Sequence, residues 1–119
     1  MISVEVTRSG GPDGAIARLK VRGHAGFAGY GDDIVCAAAS ATAYTAAGAL
    51  NKLCGAPRKC AKERGGFFEI AVPAFKDGDA AYKAKIIMET AYIGYKQIEA
   101  SYPDFISVTE KIPEGDRNV

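Results

Sequence analysis

The stretch ARLKVRGHAGFAGYGDDIVCAAASATAYTAAGALNKL, residues 17–53, reads as a strand, a glycine-rich connection and a helix in succession. Ala17, Leu19 and Val21 alternate with Arg18, Lys20 and Arg22, the period of a strand buried on one side. Residues 23–31 then hold four glycines in nine positions. Ordering glycine is entropically costly, so a mobile loop is expected here. Asp32 or Asp33 stands where a carboxylate can accept the orphan N–H groups of a helix's first turn. The helix predicted from that cap to about Leu53 is lined with Ala37, Ala38, Ala39, Ala41, Ala43, Ala46 and Ala47. Small side chains permit close approach to a sheet, which predicts a nearly buried helix.

Working outward, Ile2, Val4 and Val6 alternate with Ser3, Glu5 and Thr7, and GGPDG at 10–14 is a turn signal. The first two strands therefore pair as a hairpin. A second hairpin is predicted from 59–63 and 67–72, flanking Arg64-Gly65-Gly66. Beyond Pro73 and Asp77-Gly78, apolar Ala84, Ile87, Met88, Ala91, Tyr92, Tyr95 and Ile98 recur at steps of three and four. That spacing marks an amphipathic helix over 79–102, stopped by Pro103. Tyr82, Tyr92, Tyr95 and Tyr102 on or beside it read first as core packing. Ile106 and Val108 suggest a last strand, and 113–119 a frayed tail. The order ββαββαβ predicts an α+β fold: one largely antiparallel sheet with two helices packed on one face. All 119 residues fit one domain.

Composition narrows the function. Fifteen Lys and Arg balance fourteen Asp and Glu, a net +1 that gives no reason to expect nucleic acid as a partner. The most apolar run, 34–50, is Ala-rich and broken by Ser40, Thr42, Thr45 and Gly48. It reads as too short and too weakly hydrophobic to span a membrane. MISVEVTRSG lacks the basic-then-apolar pattern of a signal peptide. Three cysteines match neither a metal-ligand set nor a disulfide framework, so reduced thiols in a cytoplasmic protein without cofactor or metal are expected.

The residues that carry chemistry lie together in 23–40. His24 is the chain's only histidine, and Cys36 follows twelve positions later near the predicted helix start. A helix N-terminus or a neighbouring imidazolium favours thiolate over thiol, whereas aspartates nearby oppose it unless occupied in capping or in orienting the imidazole. With Asp33 as the cap, Cys36 would be the third helical residue and its N–H an oxyanion donor. The residues leave plainer alternatives open. Cys36 can be an inert buried thiol, Asp33 only a cap, and Ser40 only a backbone hydrogen-bond partner. Phe27 and Tyr30 can be packing residues or substrate contacts. Cys54 and Cys60 could serve as resolving thiols in a redox protein.

Gly23-His24-Ala25-Gly26 followed by Gly31-Asp32-Asp33-Ile34-Val35-Cys36-Ala37-Ala38 resembles the signature of the ribosomal-processing cysteine protease family, Prp. The resemblance implies an endopeptidase with His24 and Cys36 catalytic and Gly23, Asp33 and Ser40 in support. It implies a mobile loop between the two catalytic residues and Phe27 and Tyr30 as candidate contacts to an extended apolar peptide. Its implied substrate is the precursor of the large-subunit ribosomal protein numbered twenty-seven, whose short N-terminal extension it removes. A homodimer is implied as well. The rival reading is a non-enzymatic, ribosome-associated module binding protein or RNA.

Overall fold

The computed structural model describes residues 1–10, 14–23 and 30–111, with the backbone alone at 30–33. In chain order these are β1 (Ile2–Arg8), β2 (Ile16–Arg22), α1 (Tyr30–Cys54), a 3-10 turn (Arg58–Cys60), β3 (Ala61–Arg64), β4 (Phe67–Ala71), α2 (Gly78–Ser101) and β5 (Ile106–Lys111). The strands form one sheet in the order β3-β4-β2-β1-β5. Three of its pairings are antiparallel, and β5 lies parallel to β1. The α+β arrangement is the expected one. The central turn of the first hairpin (11–13), the loop 24–29 and the tail 112–119 lie outside the described residues.

Register follows from burial. Val4 stands opposite Val21 and Val108, Leu19 opposite Val6 and Ile70, and Val21 also opposite Phe68. All of these are buried, so one face of the sheet is a continuous apolar layer. A slip of one residue would send each of them to the other face. The β3–β4 hairpin is closed by Gly65 and Gly66, with φ +39 and +81. Both values lie in the left-handed region that a two-residue turn matching strand twist demands.

Two helices cover the apolar face. On α2, Asp77 caps the start by accepting from Ala80 N–H at 3.1 Å, and Ala84, Met88, Ala91 and Tyr95 face inward. On α1 the inward stripe is Val35, Ala39, Ala43, Ala46, Leu50 and Cys54. The helices are tied together where the Tyr95 hydroxyl donates to Ala39 O at 2.9 Å. Burial pushes the Tyr95 phenol well above its ordinary pKa, so it stays a neutral donor. Contrary to expectation, α1 is not nearly buried: Ala37, Ala41, Tyr44, Thr45, Gly48, Lys52 and Leu53 are exposed. One side lies on the sheet and another against α2, and the remainder meets solvent. Residues 34–54 have a mean hydropathy of 1.2, and by length and composition alone such a helix is long enough to cross a membrane. Here its apolar stripe is used against the sheet.

Core packing accounts for Tyr95 but not for Tyr82, which is 65% exposed at the start of α2. Tyr92 is half-buried beneath the Arg8 guanidinium, 5.5 Å from its ring centre. Arg8, the buried charge of β1, pairs through both terminal guanidinium nitrogens with Glu89 of α2, and its Nε stands 3.1 Å from Glu110 of β5. These carboxylates raise its pKa further and hold it charged. One side chain thus joins β1 to the helix behind it and the strand beside it.

Tyr95→Phe should cost about 1 kcal/mol by loss of one buried hydrogen bond. Tyr95→Ala should cost about 3–5 kcal/mol by leaving a cavity. Urea denaturation of the two variants checks the separation.

Candidate active site

The segment that carries His24 leaves the sheet at Gly23. Its φ is +85, and its N–H donates to Gly66 O at 3.0 Å. A Cβ built there would come within 2.6 Å of Met1 O, a backbone atom that cannot move aside cheaply. Both the conformation and the space therefore require glycine. His24 and Phe27 lie outside the described residues, as do the side chains of Tyr30, Asp32 and Asp33.

Helix α1 begins at Tyr30, earlier than the predicted cap. Asp32 and Asp33 are thus its third and fourth residues, where acidic groups favour the positive end of the helix dipole without capping it. Cys36 becomes the seventh residue, in the second turn. By the i→i−4 pattern its N–H belongs to the helical ladder and is not one of the four open donors of the first turn. The expectations of an Asp33 cap and of a Cys36 oxyanion donor are therefore corrected.

Cys36 sits at a margin. Val35 before it is fully buried, Ala37 after it is exposed, and Cys36 is half-buried against the edge of the core. One turn further along the same side is Ser40, half-buried, and two turns along is Tyr44. The Tyr44 ring meets Phe68 of β4 edge-on, with centroids 5.7 Å apart. Its hydroxyl donates to Glu63 Oε2 of β3 at 2.5 Å. That hydrogen bond raises the Tyr44 pKa. The Cys36 side of α1 therefore looks toward the β3–β4 hairpin. Tyr44 and Glu63 were not singled out from the sequence. The i, i+4, i+8 spacing of Cys36, Ser40 and Tyr44 could have found the tyrosine, whereas no local pattern points to Glu63.

The other thiols are elsewhere. Cys54 closes α1 eighteen residues beyond Cys36, about 27 Å along a rigid helix. A disulfide needs Cα atoms within about 7 Å, so Cys54 cannot resolve Cys36 in the same chain. Burial pushes the thiols of both Cys54 and Cys60 up. Among the described residues no group of three His, Cys, Asp or Glu side chains gathers in a way that could hold a metal ion. An apolar hollow of about 380 Å³ between the helices, bounded by Ala41, Thr45, Ala49, Ile86 and Thr90, has no titratable group in its lining.

Residues 1–107 match the protein family described as cysteine protease Prp. The chain belongs to the Prp family of cysteine proteases. It is 34% identical over 113 residues to the ribosomal processing cysteine protease Prp of Bacillus subtilis (strain 168), spanning 94% of this chain and 99% of the relative. The Prp of Staphylococcus aureus (strain Mu50) is 31% identical over 116 residues, covering 93% of this chain and 100% of the relative. The fold superposes with a TM-score of 0.78 on the crystal structure of S. aureus Prp in complex with a substrate peptide, at 29% identity over 93% of this chain and 100% of that one. A second S. aureus Prp structure, with a covalently linked product peptide, gives 0.69 at 27% identity over the same shares. Membership makes this chain an enzyme, a cysteine protease, and the non-enzymatic reading falls.

Gly23→Ala should lower the melting temperature more than Gly10→Ala. Both glycines have positive φ, +85 and +80, but only Gly23 faces a backbone atom. Equal shifts in thermal unfolding would leave the close approach without consequence. Iodoacetamide at pH 7 should modify Cys36 ahead of Cys54 and Cys60, whose raised pKa values leave less thiolate; peptide mapping of the alkylated protein reads the order.

Proposed function

We propose that this Prp-family protease uses Cys36 as nucleophile and His24 as general base and acid to remove the N-terminal extension of the large-subunit ribosomal protein numbered twenty-seven. One observation carries the reading. The only histidine of a chain that matches the family over residues 1–107 stands in the connection between Gly23 and the helix that holds Cys36. The relatives named as ribosomal processing proteases, and the S. aureus structure with a substrate peptide, support it.

In this reading His24 takes the proton from Cys36 Sγ, and the thiolate attacks the scissile carbonyl carbon. The tetrahedral intermediate collapses with cleavage of the C–N bond, and the imidazolium gives its proton to the departing amine. Water, deprotonated by the same imidazole, then hydrolyses the thioester and frees the thiol. Because the field of a helix end fades within its first turn, the imidazole carries most of the activation of a cysteine in the second turn. Asp33 supports the imidazolium, Gly23 sets the course of the connection, and Ser40 lies one turn behind the nucleophile. Phe27 and Tyr30 contact the apolar extension. The enzyme acts in the cytoplasm as a homodimer.

Cys36→Ser, Cys36→Ala and His24→Ala should stay folded and lose about 10³-fold or more in cleavage of a peptide spanning the extension junction. Turnover in either Cys36 variant at the wild-type rate, followed by chromatography of the products, would remove that residue as nucleophile.

A further inference from the structure

Among the described residues no helix lies over the second face of the sheet, and its side chains follow from the register. Across β3, β4, β2 and β1 one row reads Arg64, Phe67, Arg22, Ser3, and Ser107 of β5 continues it. The next row reads Lys62, Glu69, Lys20, Glu5 and Thr109. A third reads Ala71, Arg18, Thr7 and Lys111. Among the described residues this face therefore holds six cations and two carboxylates, a net +4. The whole chain is only +1, so the rest of it sums to −3. The two carboxylates are already engaged: Glu69 by Arg18, and Glu5 by Lys111 at 3.1 Å. Lys20, Arg22, Lys62 and Arg64 have no carboxylate within salt-bridge distance among the described residues, and Arg22, Lys62 and Arg64 are exposed.

Two further features shape the face. Arg22 holds its guanidinium over the Phe67 ring, 5.2 Å from the centre, and the pair stands between Arg64 and Ser3. A polar hollow of about 220 Å³ lies beside it, lined by Ser3, Glu5, Lys20, Arg22 and Lys111. A second copy of the chain is a poor occupant, because two +4 faces repel. A partner must bring closely spaced negative charge, and flat groups to stack on Arg22 and Phe67.

We propose that this uncovered sheet face binds single-stranded RNA. Phosphates meet Lys20, Arg22, Lys62 and Arg64, and bases stack on the Arg22–Phe67 pair, as on other nucleic-acid-binding sheets. The near-neutral total charge hides this footprint, which revises the expectation of no nucleic-acid partner. The Arg64–Phe67–Arg22 row lies at the end of β2 that leads into Gly23. The inference does not depend on the dyad assignment.

The test is fluorescence anisotropy of the full chain with a labelled single-stranded RNA 12-mer over a salt series. Four phosphate contacts predict a slope of log affinity on log salt of about −3. Lys62→Glu/Arg64→Glu should weaken binding by about tenfold or more and roughly halve that slope. Phe67→Leu, which keeps the apolar contact but not the stack, should weaken binding at unchanged slope. Peptide cleavage by both variants should match wild type. Affinity and slope unmoved by the double reversal would overturn the proposal. So would polyglutamate binding as tightly as RNA with Phe67→Leu silent, which would mark a surface for acidic protein instead.

Discussion

The burial of Val35 decides the direction in which Cys36 looks. Successive residues of a helix are turned by about 100°, so a side chain fixed in the core leaves its neighbour one place to go. Val35, Ala39, Ala43, Ala46 and Leu50 together fix the rotation of α1 on the sheet, and the Tyr95 hydroxyl fixes its position by holding Ala39 O at 2.9 Å. Alanines at the middle of that stripe keep the helix close. A larger residue there would lift α1 and carry Cys36 with it, since packed interiors do not absorb added volume. The thiol ends at the margin of the core, one side against apolar atoms and the other toward the β3–β4 hairpin.

A second constraint meets it from the sheet. Gly23 turns the chain out of β2 in a conformation closed to other residues, with Met1 O too near for any side chain. The connection toward α1 therefore has a fixed point of departure, just as Cys36 has a fixed point on the helix. Between the two anchors lies the histidine. Cys36, in the second helical turn, stands beyond most of the reach of the helix end, so the peptide dipoles act on it only weakly.

Much of this was legible from period alone. Alternation named the strands, Gly65-Gly66 the hairpin, and the three-and-four spacing α2 with its inward Ala84, Met88, Ala91 and Tyr95. The start of α1 was not legible, because Gly31 argues against a helix locally while Tyr30 to Asp33 join it all the same. Nor was its exposure: an alanine fits core and surface equally, and only packing against α2 and the sheet tells Ala39 from Ala41. In the candidate site, His24, Gly23 and Cys36 stood out because their motif is contiguous. Tyr44 and Glu63 did not, because the pair spans nineteen residues and meets only through the sheet. The segregation of charge was invisible for the same reason: it is a property of registers, and counting Lys and Arg cannot show it.

The end of β2 shows how closely these roles are set together. Val21 enters the core opposite Val4 and Phe68, Arg22 lies on the open face over Phe67, and Gly23 makes the turn toward the helix. Strand period, not distance, keeps them apart: adjacent residues point to opposite faces, so core, charged surface and connection meet within three positions without sharing a side chain. A one-residue slip of β2 would place Arg22 in the core, Val21 in water, and Arg22's Cβ against Met1 O. The apolar register that holds the sheet together is thus also what keeps Gly23 and the basic face in place, and neither can drift while the core remains packed.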